Sequence, residues 1–174
     1  MAKGIYLTMG VVAVLTLAAC QSMEHGTGQK ASANLDARSG SNAKGTVNFV
    51  WQGHDVLVTG NFSGLKPNAE QGFHIHEKGD CSAPDATSAG GHFNPDTQSH
   101  GMPGSGANHA GDMPNIKSDA NGNAVYSAKL SGFAVNSGPT GILGRSVVVH
   151  RDPDDYKSQP AGNSGPRIAC GLIK

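Results

Sequence analysis

Apolar residues recur at alternate positions over Thr46–Trp51 and again over Val56–Phe62, with Gln52-Gly53-His54-Asp55 between them. Period-two alternation sends one face of a strand to a core and the other to solvent, so the pair reads as a hairpin with His54 exposed in its turn. Further strands are predicted at Gly72–Glu77, Arg145–His150 and Ile168–Leu172. Asp119–Asn123 reads as the turn of a second hairpin, flanked by Ile116 and Val125–Leu130, because its Asn-Gly step readily takes positive φ. From Lys78 to Ile116 the chain is rich in Gly, Ser, Pro, Asp and His and shows little strand pattern; 151–167 is a second irregular loop. Loops this long inside a compact domain are usually functional. Seven or eight short strands joined by uneven loops predict an antiparallel β-sandwich or barrel.

The start of the chain follows a different pattern. Lys3 precedes the mostly apolar stretch Ile5–Ala19, which is too short for a comfortable membrane span but has the layout of a secretory signal. It ends in Leu17-Ala18-Ala19-Cys20, which resembles the lipobox of bacterial lipoproteins. That resemblance implies a signal peptide at 1–19, cleavage before Cys20, and a membrane anchor carried on the Cys20 thiol. Gln21 stands where an Asp often marks inner-membrane retention, which favours the outer membrane and a periplasmic, cell-envelope location. Residues 20–43 read as a polar, non-periodic tether in which His25 is a solvated bystander, and the globular domain is placed at 44–174.

Composition narrows the choice. With 13 Lys plus Arg against 13 Asp plus Glu the net charge is zero, so nucleic acid is not an expected partner. Setting Cys20 aside as acylated leaves one pair, Cys81 and Cys170, which in an exported chain predicts a disulfide.

Histidine carries the chemistry. His74 and His76 are two apart on a predicted strand, so they share one face while Phe73 and Ile75 point to the core. On the same reasoning Val147 and Val149 point inward and His150 outward. The adjacent loop holds His92, His100, His109 and Asp112. Imidazole suits zinc and copper, and a carboxylate beside it still fits zinc. Two four-coordinate sites need eight donors and this set supplies seven. Either a water fills one position or one imidazole serves two metals; spacing alone leaves both open.

Gly-Phe-His-Ile-His-Glu (72–77), Gly-Asp-Cys (79–81), Gly-Gly-His-Phe-Asn-Pro (90–95), His100-Gly101, His109-Ala110-Gly111-Asp112, Val148-Val149-His150 and Gly-Pro-Arg-Ile-Ala-Cys-Gly (165–171) together resemble the copper/zinc superoxide dismutases, in order and spacing across nearly all of 44–174. With the lipobox, the bacterial exported branch is the nearest resemblance. The resemblance implies a Greek-key β-sandwich, often called a flattened barrel, that dismutates superoxide anion to dioxygen and hydrogen peroxide. Copper would be held by His74, His76, His92 and His150, and zinc by His92, His100, His109 and Asp112. His92 would then bridge the metals and carry a proton in catalysis. Arg167 would guide and bind the anion, Asp154 would link a copper-ligand histidine to a zinc-ligand histidine, and Cys81–Cys170 would be the family disulfide.

Two departures qualify the resemblance. The segment between Asp155 and Arg167 is shorter than in the eukaryotic enzymes and lacks their charged cluster, which leaves Lys78, Arg151 or Lys157 as candidates for steering the substrate. The chain runs only four residues past Cys170, so the eukaryotic dimer is not implied, and a monomer or a differently built homodimer is expected. The alternative function is a non-enzymatic copper/zinc-binding protein on the same fold, against which Arg167 and the full ligand set speak.

Overall fold

The computed structural model describes residue 1 and residues 28–174; the apolar stretch Ile5–Ala19, Cys20 and His25 lie outside the described residues. Among the described residues nine strands form: β1 Lys30–Ala37, β2 Lys44–Trp51, β3 Val56–Ser63, β4 Glu70–Gln71, β5 Phe73–His76, β6 Ile116–Lys117, β7 Ala124–Leu130, β8 Ser146–His150 and β9 Arg167–Leu172. Seven make one sheet in the order β5-β8-β9-β1-β2-β3-β7, and β4 pairs with β6. Every strand pairing is antiparallel.

The sheet curls until its two ends face each other. Phe73 of β5 packs edge-on against Tyr126 of β7, with ring centroids 5.1 Å apart, although these strands lie at opposite ends of the sheet. Phe62 of β3 meets Phe73 in the same way at 5.4 Å. One core therefore draws Val47, Phe49 and Val58 from one half and Ile75, Val147 and Val149 from the other. The chain leaves β3 for β5, returns to place β7 beside β3, and crosses again to place β8 beside β5. This is the expected Greek-key sandwich.

Residues 30–43 are a correction to the predicted tether. Lys30–Ala37 is a full strand whose burial alternates, with Ala31, Ala33 and Leu35 buried. It pairs with β2 along its length and passes to β9 at Asp36 and Ala37, which makes β1 the strand that joins the two halves. The alternation was weak in the sequence because two of its three inward residues are alanine, a poor strand former that gives little hydrophobic contrast. The second hairpin also needs correcting. Its turn is present, with Gly122 at φ +76° and the Asp119 Oδ1 atom accepting from Asn121 and Asn123 N–H at 2.8 Å each. Its flanks part, however: Ile116 and Lys117 pair with β4 while Ala124–Leu130 pairs with β3.

If β1 is core, Leu35→Ala should cost about 2–4 kcal/mol in urea unfolding, the usual range for a buried leucine. A loss under about 0.5 kcal/mol, as expected for a tether position, would return residues 30–37 to the linker.

Candidate metal centre

The site is built on the free edge and outer face of β5. Being at the end of the sheet, β5 has an edge of unpaired backbone groups. The long loop occupies it: Phe93 N–H donates to the Ile75 carbonyl at 2.8 Å, Ile75 N–H to Gly111 at 2.9 Å, and Gly111 N–H to Phe93 at 2.8 Å. Bridges join His76 to His92 and His74 to Asp112. Gly111 is required here, since a Cβ would collide with the Ile75 carbonyl oxygen.

Strand parity places Phe73, Ile75, Val147 and Val149 in the core and His74, His76 and His150 off it, as expected. The histidines are nevertheless not at a solvent-facing surface. His74 and His76 are fully buried and His150 nearly so. The loops of 78–116 and 151–166 roof that face, a tertiary effect that strand periodicity does not report.

Two groups of donors converge there, His74, His76, His92 and His150 in one and His92, His100, His109 and Asp112 in the other; within each, one donor atom per residue lies within 4.8 Å of the rest. The hydrogen bonds select which nitrogen each ring offers. His76 Nδ1–H donates to the Gly90 carbonyl at 3.0 Å and His150 Nδ1–H to the Gly165 carbonyl at 3.1 Å, which leaves both Nε2 atoms facing inward, 3.4 Å apart. Asp154 accepts from His74 Nε2 at 2.8 Å and His100 Nε2 at 2.9 Å, so the two rings turn Nδ1 toward the centre. His74 Nδ1, His92 Nε2, His100 Nδ1 and His109 Nδ1 are buried without a hydrogen-bond partner. Four orphaned buried nitrogens in one cluster would be costly unless something binds them. Asp112 Oδ1 lies 2.9 Å from His92 Nδ1, 3.0 Å from His100 Nδ1 and 3.4 Å from His109 Nδ1, at the focus of the second group. His92 thus presents one nitrogen to each group. Of the two arrangements that donor counting left open, one requires a residue common to both groups, and His92 is common to both.

The electrostatics differ between the groups. Burial holds His76 and His150 well below the usual imidazole range and lowers His74 against the pull of Asp154. Burial, then the neighbouring His74, brings His92 to about 4. These rings are neutral at pH 7, with lone pairs available. Burial also opposes charge on His100, but the Asp112 carboxylate beside its Nδ1 and the Asp154 carboxylate that accepts from its Nε2 outweigh it and raise this ring to about 9. Asp112 and Asp154 are held well below the carboxylate range by their histidines despite burial.

A cleft lined by His76, His92, His150, Glu77, Asn94 and Arg167 opens onto the first group. Arg167 is half-buried and fixed, donating from its two terminal nitrogens to the Ala86 and Gly90 carbonyls at 2.6 Å each. Those carbonyls belong to the loop that Cys81–Cys170 ties to β9; the bond is formed, with Cα atoms 5.8 Å apart. None of Lys78, Arg151 and Lys157 lines the cleft, and Arg151 is engaged with Asp152 at 3.2 Å.

Several supports were not legible in the sequence. Gln159 clamps the His100 backbone, accepting from its N–H at 2.8 Å and donating to its carbonyl at 2.9 Å. Asn115 does the same for Asp154, at 3.0 Å each way. The Arg145 guanidinium lies 3.7 Å from the centre of the Phe93 ring, beside His92, and donates to the Glu77 carbonyl. Neither residue type nor spacing marks the first two.

A Greek-key sandwich carrying two adjoining four-donor groups with one imidazole in common is the scaffold of a binuclear metalloprotein. Residues 43–173 match the copper/zinc superoxide dismutase (SODC) family. Superoxide dismutase (Cu-Zn) 2 of Aquifex aeolicus is 45% identical over 134 residues, covering 75% of this chain and 78% of that protein. The Saccharomyces cerevisiae superoxide dismutase (Cu-Zn) is 44% identical over 137 residues, 74% of this chain and 88% of that one. Among solved structures, the clock protein EA4 superposes with a TM-score of 0.75 at 40% identity, over 87% of this chain and 98% of its own. The chain belongs to the copper/zinc superoxide dismutase family.

Breaking the disulfide should loosen both fold and arginine. The bridge spans 89 residues, for which the chain-entropy relation gives about 4.6 kcal/mol. Cys81→Ser with Cys170→Ser is expected to lower unfolding stability by up to that amount. A stability change under about 1 kcal/mol would show that the bridge constrains little in the unfolded chain.

Proposed function

We propose that this protein dismutates superoxide, with copper held by His74, His76, His92 and His150 and zinc by His92, His100, His109 and Asp112. The observation that carries it is His92, whose two nitrogens face the two donor groups, beside a fixed Arg167 at the mouth of the cleft. The residues fit the metals: one group is all imidazole, which suits copper, and the other adds a carboxylate, which suits zinc. Copper supplies one-electron redox chemistry there, while zinc has none and shapes the site.

The chain's own groups do the rest. Arg167 offers a localised positive charge and N–H donors to a small anion beside the first group. One superoxide leaves as dioxygen after giving up an electron; a second takes that electron and two protons and leaves as hydrogen peroxide. His92 Nε2 can hold one of those protons and return it, since Nδ1 remains engaged toward Asp112. Asp154 fixes the tautomers of His74 and His100 at once, so the geometry of one group is coupled to the other. A non-enzymatic metal-binding role leaves the arginine at the cleft without a purpose.

The Leu17–Cys20 lipobox supports a periplasmic lipoprotein, anchored through Cys20 to a membrane, with the outer membrane favoured by Gln21. Such a position would protect the cell envelope from superoxide.

Arg167→Lys should retain part of the activity, and Arg167→Glu should lose at least about tenfold, within the range by which focused charge raises association rates. Both metals should remain bound, and the parent rate should fall as salt screens the charge. Superoxide decay against ionic strength, with metal content measured, checks this; a fully metallated Glu variant as active as the parent would remove Arg167 from the reaction.

Metal titration tests the ligand assignment. His100, raised to about 9, is protonated at pH 7 and must lose a proton to coordinate through Nδ1. Zinc added to metal-free protein at pH 7 should therefore release about one proton, and the release should vanish as pH rises past about 9. Copper added next should release about one more, because His92 must lose its remaining N–H to serve both metals. Calorimetry in buffers of different ionisation heat reads both, and no proton with the second metal would overturn the shared His92.

A further inference from the structure

We propose that the end of the sandwich around Trp51 and Lys30 rests on the phospholipid surface that carries the anchor, with the catalytic cleft held at the far end of β1. The proposal deepens the lipoprotein reading above and rests on it. It starts from where the chain enters the fold. Gly28 N–H donates to the Trp51 carbonyl at 3.2 Å, and Trp51 N–H donates to Gln29 at 2.8 Å, so Trp51 stands where the chain joins the domain. From Gly28 back to Cys20 there are eight chain steps, which reach at most roughly 29 Å however they are arranged.

That bound decides the orientation. A domain of about 150 residues has a radius of gyration near 15 Å, and so measures roughly 35–40 Å across. An anchor limited to roughly 29 Å cannot be carried around the domain to its opposite pole. The cleft lies toward that pole. β1 starts at Lys30, and its seven steps to Ala37 cover roughly 23 Å. Just beyond, Ser39 donates to the Arg167 carbonyl at 2.8 Å, and its N–H donates to Pro84 at 2.8 Å. Arg167 lines the cleft.

The chemistry of the near end suits lipid headgroups. Trp51 is the only tryptophan in the chain and is half-buried at the edge of the core. An indole with one apolar and one polar side settles at a membrane interface. Lys30 is exposed beside it, and across the hairpin turn Lys129 is paired with Asp55 at 3.2 Å, leaving an excess of positive charge for anionic headgroups. A phospholipid surface is the occupant that the tether length and these residues select.

The single tryptophan makes the test specific. Full-length, lipidated protein would be reconstituted into vesicles of phosphatidylethanolamine and phosphatidylglycerol with brominated acyl chains, which quench nearby indoles. The expected result is co-flotation with vesicles and at least about a twofold loss of Trp51 emission relative to unbrominated vesicles. Trp51→Phe carrying Pro84→Trp, which moves the only indole beside Ser39, should float equally and stay unquenched. Cys20→Ser should not float. If the parent floats with Trp51 unquenched, or if the indole at position 84 is quenched as strongly, the orientation fails while the anchor stands. If Cys20→Ser floats as the parent does, the anchor on Cys20 fails, and the orientation with it.

Discussion

Ile75 shows the constraint on which the site depends. Its side chain is fully buried in the sandwich core, while its N–H and carbonyl hold Gly111 and Phe93 of the long loop. One residue thus fixes β5 against the core and the loop against β5. Because His74 and His76 flank Ile75 on the opposite face, loop register and ligand register are the same quantity. A slip of one residue at this edge would turn His92 and Asp112 away from the ligands on β5 and β8. An edge strand normally risks pairing with another chain; here its open groups are used up by the chain's own loop.

A second tie runs over the top of the histidines. Asp154 accepts from one ring of each donor group and is itself held by Asn115, while Gln159 holds the backbone of His100. Gly162, at φ +63°, lies against this pair so closely that a Cβ would collide with Asp154. The arginine is fixed from a third direction, by Ala86 and Gly90 carbonyls on the loop tied down by Cys81–Cys170. Small residues around Val148, namely Ala86, Ala89 and Cys170, let that loop lie flat on the sheet. The three supports come from different parts of the chain yet meet within one cleft.

How much of this the sequence shows depends on the kind of signal. Valine and phenylalanine at alternate positions announce β2 and β3, a run of three valines announces β8, and the pairing of His74 with His76 follows from period two alone. β1 escapes this signal because Ala31 and Ala33 give little contrast with their serine and asparagine neighbours. The depth of His74 and His76 is not legible in the sequence either, since the loops that cover them are distant in sequence and carry no periodic apolar pattern. Asp154 emerged only from resemblance to a family: nothing in its spacing from His74 or His100 marks it. The carbonyls of Gly90 and Gly165, which set two histidine tautomers, leave no trace in residue identity at all.

The division between legible and illegible parts has an energetic basis. The apolar core draws on β1, β2, β3, β5, β7, β8 and β9 and takes only Phe93, Ala110 and Met113 from the long loop, so most of its strength appears directly as hydrophobic periodicity. The site is the reverse: a face carrying six buried imidazoles, two buried carboxylates and several orphaned nitrogens, which burial penalises until a metal engages them. Its loops contribute few large apolar anchors, chiefly Phe93 and Met113, so their order draws on ligand binding as well as on packing. Core and site are therefore nearly separable in energy. They are inseparable in geometry, because both are written on the two faces and the edge of the same four-residue strand, Phe73–His76.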